Sequence, residues 1–180
     1  GDLFDYPVVK NEVLNAFLKI ISKYKDKIKI IISAGNHDSS PIKRDSTLDI
    51  LSNINMDISP TYENDKYQLY SFESFNEMPT IIVAIGKMKR IIIEKENILI
   101  DALPYYMNKE KLSFSKEDRT IFSRDSSYRS FLICHGVTEE SNIYSDQDVI
   151  NKSYLKNRDF ILKDHIHGIF EETISGSKVF

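Results

Sequence analysis

Apolar residues recur along this chain in two rhythms, and the alternation between them predicts the order of its elements. Over 8–24, Val9, Val13, Phe17, Ile20, Ile21 and Tyr24 fall at three- and four-residue spacings with lysines opposite, as in an amphipathic helix. The β-branched run at 28–33 is short and leads to Gly35, as a buried strand does. A polar loop with Pro41 follows, then a helix over 44–54. The middle reads as strands: YQLYSF (67–72), TIIVAI (80–85), RIIIEKE (90–96) and ILIDALPYY (98–106). Residues 107–128 are polar and read as helix or loop. Further strands are expected at 130–135, 159–163 and 169–174, with a last one at Val179 and Phe180. Strands mixed with helices, several of them apolar throughout, indicate a layered α/β or α+β domain with a covered sheet. No repeat and no Pro/Gly/Ser linker divides the chain, so 1–180 reads as a single domain.

Composition narrows the class. With 180 residues, 41% apolar and 28% charged, the chain can bury one sizeable core and has no low-complexity character. Its longest apolar runs, at 27–35 and 80–86, are too short to cross a bilayer, and no basic stretch precedes a small-residue cleavage site. The expectation is a soluble, cytoplasmic protein with no membrane partner. A single cysteine, Cys134, excludes an internal disulfide and fits a reducing compartment. A formal charge of −3 gives no global attraction to nucleic acid, so DNA binding requires a local basic face or metal ions. Lys87, Lys89 and Arg90 form one basic cluster, and Lys23, Lys25, Lys27 and Lys29 another; both read better as solvated charges than as phosphate contacts.

The candidate chemistry lies with the four histidines. His37, His135, His165 and His167 each follow a predicted apolar strand or lie in the turn beyond one, where ligands gather in layered α/β proteins. Singly, His37 also reads as a turn residue and His135 as a satisfied, half-buried histidine. His165 and His167 stand at i and i+2, so in an extended segment they project to one face and can reach one metal cluster.

GDLFD (1–5), GNHD (35–38), HG (135–136) and DHIH (164–167) occur in the order and with roughly the spacing of the calcineurin-like metallophosphoesterases, which this chain resembles. That family's motifs are DxH, GDxxD, GNHD/E, H and GHxH. Four of the five have counterparts here; Asp164 stands where glycine is usual, and the sequence starts at the second motif. The resemblance implies a two-sheet α/β sandwich flanked by helices, here lacking its N-terminal strands and truncated at both ends. It implies two divalent ions, which supply a hydroxide at neutral pH and compensate phosphoryl charge. Mixed nitrogen and oxygen ligands suit manganese, iron or zinc better than calcium, and manganese is the usual choice in the branch discussed next.

By this resemblance Asp2 bridges the two ions. Asn36, His135 and His165 complete one metal site with it, and His167 belongs to the other. His37 is not a ligand in the family; it contacts the scissile phosphate as general acid or charge stabiliser. Asp5 matches the carboxylate that orients it and favours its charged form. Asp5 also has a reading as a helix N-terminal aspartate. Asp38 is expected to brace its loop through backbone hydrogen bonds. Asp164 is either a partner for a ligand histidine or a tolerated replacement.

The 99-residue interval from Asn36 to His135, with a strand ending LPY inside it, is similar to the SbcD-type DNA exonucleases. So is the segment leading into DHIH. Leu103, Pro104 and Tyr105 have the simpler reading of a strand that ends at a proline. The expected function is a manganese-dependent nuclease acting on DNA ends in DNA repair and recombination, nucleoid-associated, homodimeric and working with an SbcC-type ATPase. The 180 residues alone are expected to be weakly active or inactive. Alternatives are another hydrolase of the superfamily, such as a protein phosphatase or a nucleotide or cyclic-nucleotide phosphodiesterase, or an inactive fragment serving as an assembly module. The arginines that phosphatases place after GDxxD are replaced here by Tyr6 and Pro7.

Overall fold

The strand-rich middle of the sequence folds into one large sheet and one small one. The computed structural model describes residues 2–38, 46–54, 58–107, 127–138, 148–164, 172–174 and 177–180. β1 (Ile30–Ser33) and β4 (Ile81–Ala84) pair in parallel as a two-stranded sheet. An eight-stranded mixed sheet comprises β2 (Tyr62–Glu63), β3 (Tyr67–Phe72), β5 (Met88–Ile93), β6 (Ile98–Leu103), β7 (Arg129–His135), β8 (Phe160–Asp164), β9 (Glu172–Ile174) and β10 (Ser177–Val179). Their spatial order is β2-β3-β5-β6-β7-β8-β10-β9, with β6, β7 and β8 parallel to one another. Three helices are described: α1 (Asn11–Tyr24), α2 (Thr47–Asn53) and α3 (Lys152–Leu155). The chain is thus a mixed α/β fold with a multistranded sheet and few helices.

Period-2 alternation sorts these strands into three apolar clusters. On one face of the small sheet, Ile32, Ile81 and Val83 pack with Leu48 and Leu51 of α2, with Phe4, and with Leu14, Phe17, Leu18 and Ile21 of α1. On its other face, Ile31 and Ile82 join Tyr70, Phe72, Ile91 and Ile93 of the large sheet. The far face of the large sheet carries Leu69, Met88, Leu103, Leu132, Cys134 and Ile161, covered by Ile150, Tyr154 and Leu155. Burying each such side chain contributes about 1.5–3 kcal/mol. Within this architecture Arg90, Asp101 and Arg158 form a buried ion triad. Asp101 takes Nε–H and Nη2–H of Arg90 at 2.7 Å each and Nη2–H of Arg158 at 2.5 Å.

Several sequence expectations change in detail. The first helix starts at Asn11, and its inward stripe is Leu14, Phe17, Leu18 and Ile21; Val13, Ile20 and Tyr24 are exposed. Both stripes satisfy a 3.6-residue period, and the one carrying the leucines faces the core. The strand expected at 90–96 is Met88–Ile93, because Glu94 to Asn97 form the turn of a hairpin and Asn97 adopts φ +52°. The 98–106 strand ends at Leu103 and passes through Pro104 into a 3₁₀ turn at Tyr105–Met107. β2 and α3 are too short to leave a periodic signature. Most of 107–128 lies outside the described residues, as do His165 and His167.

Candidate metal centre

The C-terminal ends of β1, β6, β7 and β8 meet at one end of the molecule. Tyr105 N–H donates to Ala34 O at 2.9 Å, and Ser33 Oγ donates to Leu103 O, tying the end of β6 to the end of β1. β7 and β8 run in register to His135 opposite Asp164. Along β7, Leu132 and Cys134 enter the far cluster, so His135 projects to the opposite face, towards the small sheet. Gly136 then takes φ +152°, a conformation open to glycine, and its N–H donates to Asp164 O at 2.8 Å.

Three of the residues named from sequence converge here. His135, 1% exposed, places Nε2 at 2.7 Å from Asn36 Oδ1 and 3.2 Å from Asp2 Oδ2. Asp2 Oδ1 accepts from His37 N–H at 2.9 Å. The approach of Asp2 depends on Gly35, where an added Cβ would meet Asp2 Oδ1 at 2.2 Å. Asp2 itself takes φ +52°, a left-handed conformation that aspartate tolerates better than most residues. Asp38 is buried and braces both segments: its carboxylate accepts from Leu3 N–H at 3.0 Å, Phe4 N–H at 2.8 Å and Gly35 N–H at 3.1 Å. This is the structural role expected for it.

His37 and Asp5 also come together, at the solvent-exposed edge of the cluster. His37 Nδ1 lies 3.2 Å from Asp5 O and 3.3 Å from Asp5 Oδ1. The hydrogen bond to the Asp5 carbonyl raises the His37 pKa above the ordinary 6.5, opposed by slight desolvation and reinforced by the charges of Asp2 and Asp5. Asp5 does not cap α1, which begins six residues later behind Lys10. Asp164 lies 3.8 Å from His135 Nδ1, beside the ring but beyond hydrogen-bond distance.

Two participants carried little signal in the sequence. Tyr105 sets its ring 5.9 Å from the His135 imidazole in an edge-to-face contact, and its hydroxyl donates to Asp148 Oδ1 at 2.6 Å. Both Tyr105 and Asp148 are buried. Tyr105 is legible as the last residue of the LPY strand end, and nothing in the sequence singles out Asp148. Cys134, next to His135, is removed from the chemistry: burial pushes its thiol up to about 12, and it faces the apolar cluster.

The donor chemistry fits a divalent cation. Asn36 Oδ1 and Asp2 Oδ2 both lie within 3.2 Å of His135 Nε2, so this nitrogen either donates a proton to them or, as the Nδ1–H tautomer, offers its lone pair with theirs to a cation. One imidazole nitrogen with a carboxylate and an amide oxygen is a set suited to a first-row transition ion. Among the described residues no group of three or more His, Cys, Asp or Glu is placed to hold a metal; here the third donor is an asparagine. The cluster of Lys87, Lys89 and Arg90 is engaged elsewhere. Lys87 pairs with Glu63 at 2.7 Å, Lys89 lies over the Tyr70 ring, and Arg90 is buried in the triad. Among the described residues no helix is long and apolar enough to cross a membrane. Comparison of the chain with family models, with characterised proteins and with solved structures gave no match.

Proposed function

We propose that this chain is a metallophosphoesterase domain of the calcineurin-like type, built on that family's two-sheet sandwich, and that it hydrolyses phosphodiesters as a nuclease of the SbcD branch. One observation carries the reading: Asn36 and His135, 99 residues apart, meet at 2.7 Å beside Asp2, each at the position its motif assigns to a ligand. Asp2, Asn36 and His135 would hold one divalent cation, manganese in this reading, with His165 as a further ligand, and His167 would belong to the site of the second. When bound, two such ions supply a hydroxide nucleophile and offset charge on the phosphoryl oxygens.

The protein's own groups do the rest. Asp38 fixes the loops that carry Asp2 and Asn36 by holding three backbone N–H groups. His37 stands half-exposed at the rim, where a phosphodiester can reach it, and its raised pKa keeps it protonated further towards neutral pH. A protonated imidazole there donates to the departing oxygen or offsets its charge. Asp5 holds the ring through Nδ1 and leaves Nε2 available to the substrate.

The DNA branch rests on the length of the interval between GNHD and HG and on the LPY strand end; an SbcC-type ATPase partner, a homodimer and nucleoid association are what resemblance to that branch implies. The test is manganese-dependent degradation of linear DNA against a phosphopeptide and a cyclic nucleotide. Preferential loss of DNA, slow for these 180 residues and abolished by His135→Ala, is expected. Turnover of the phosphopeptide alone would place the protein with the phosphatases, and DNA loss unaffected by His135→Ala would remove the proposed centre.

A further inference from the structure

We propose that Tyr105 is a positioning residue that locks the imidazole of His135, through a closed ring of contacts running from β7 to Asp148 and back. This rests on the reading of His135 as a metal ligand. Two residues after His135, Val137 N–H donates to Asp148 O at 2.7 Å, and Ile150 N–H donates to Val137 O at 2.8 Å. Those bonds pin the 148–150 segment beside the end of β7. From there the Asp148 carboxylate accepts the Tyr105 hydroxyl at 2.6 Å, a buried, charge-assisted bond. The Tyr105 ring so fixed meets the His135 imidazole at 5.9 Å with the planes 66° apart.

The same residue ties in the second ligand segment. Tyr105 N–H donates to Ala34 O, two residues before Asn36, so one residue touches both the strand end that presents Asn36 and the ring of His135. An imidazole on a strand end retains rotation about its side-chain bonds unless something stops it. Here Asn36 and Asp2 hold the ring at Nε2, and the stop on its flank is an aromatic ring whose far end is tethered to a carboxylate. A ligand held this way binds its cation without first losing rotamer freedom; partners hydrogen-bonded to a ligand are worth about 10–100-fold in metal affinity, and a ring contact should fall at the lower end of that range.

The experiment compares the unmodified protein with Tyr105→Phe, Tyr105→Leu, Asp148→Asn and His135→Ala, by ¹⁵N-resolved imidazole spectra without metal and by manganese titration calorimetry. Thermal melts accompany both. Tyr105→Leu is expected to average the His135 ring signals and to weaken manganese binding at least about tenfold. Tyr105→Phe keeps the ring and loses the tether, so its effects should be intermediate; Asp148→Asn keeps an acceptor and should stay near the unmodified protein. Unchanged His135 ring signals in folded Tyr105→Leu and Tyr105→Phe would overturn the positioning role, whatever metal does. Should Tyr105→Leu fail to fold, the ring signals of Tyr105→Phe decide alone. Manganese binding that survives His135→Ala would instead refute the metal centre, and the ring spectra would still decide the role of Tyr105.

Discussion

A methyl group at position 35 probes the geometry of the centre without touching any proposed ligand. A Cβ at Gly35 would lie 2.2 Å from Asp2 Oδ1, 2.4 Å from Asp2 N and 2.8 Å from Asp2 Cγ. Ordinary contact begins at 3.4 Å, so Asp2 must retreat by about 1 Å. Because a backbone nitrogen is among the clashing atoms, a change of side-chain rotamer does not relieve the overlap, and the 2–4 segment must shift as a unit. That segment is held by Asp38 through Leu3 and Phe4 N–H, so the shift strains those bonds as well. It also lengthens the 2.9 Å bond from His37 N–H and draws the carboxylate away from His135 Nε2. A misplacement of about 1 Å costs on the order of 100-fold in a reaction rate, or about 2.7 kcal/mol, and it far exceeds the tolerance of about 0.2 Å in a metal–ligand distance. Gly35→Ala should therefore bind manganese far more weakly while keeping the circular dichroism of the folded protein, with a melting temperature lowered by a few degrees. The assay is manganese titration calorimetry with a parallel melt. Unchanged affinity and unchanged melting temperature would show that Asp2 does not pack against Gly35 as described.

Other consequences follow from the same contacts. Asp38→Ala strands three N–H groups that now donate to one buried carboxylate; at about 1.5–3 kcal/mol for each bond to a charged group and about 2–4 °C per kcal/mol, about ten degrees or more of melting temperature should be lost, with Asp38→Asn losing less. Asp101→Asn leaves Arg90 and Arg158 buried without their counter-charge, which should cost about 3–5 kcal/mol in denaturant unfolding. Burial pushes the Asp101 carboxyl up, but Arg158 and Arg90 outweigh it and hold its pKa below the ordinary 3.8. Its stabilisation is thus present above that value and lost as pH falls through the lowered pKa. For His37, whose pKa is raised, the interaction with Asp5 stabilises the fold below pH 6.5 and fades as pH rises through the raised value. The alkaline limb of the rate profile should therefore lie above 6.5, and Asp5→Asn, which keeps the carbonyl bond, should move it slightly to lower pH; a limb that does not move would remove the Asp5 carboxylate from this role.

What sequence could and could not reveal follows from the range of the forces involved. Local periodicity placed β3 to the residue and β7 to within one, because their alternation is set by neighbours in the chain. It placed Phe17 and Ile21 on the buried face of α1 but rotated the stripe to Val13 and Ile20 instead of Leu14 and Leu18, because both choices satisfy the helical period and only the tertiary packing separates them. The pairing of β1 with β4 and the order of the large sheet depend on contacts across tens of residues, which no periodic pattern records. In the centre, Asp2, Asn36 and His135 were named from motif order alone, and the structure brings them within hydrogen-bond distance. Asp38 as a loop brace and Asp5 beside His37 were legible in the same way. Tyr105 and Asp148 were not, since their role lies in a bond between residues 43 apart in sequence.

The account stands on a divalent cation held by Asp2, Asn36 and His135. Diffraction data from crystals soaked in manganese, collected at the manganese absorption edge, test this directly. An anomalous peak bonded to the Asp2 carboxylate, the Asn36 amide oxygen and His135 Nε2 is the predicted result. A map in which those three side chains are ordered, still in contact with one another and without a peak between them would contradict it.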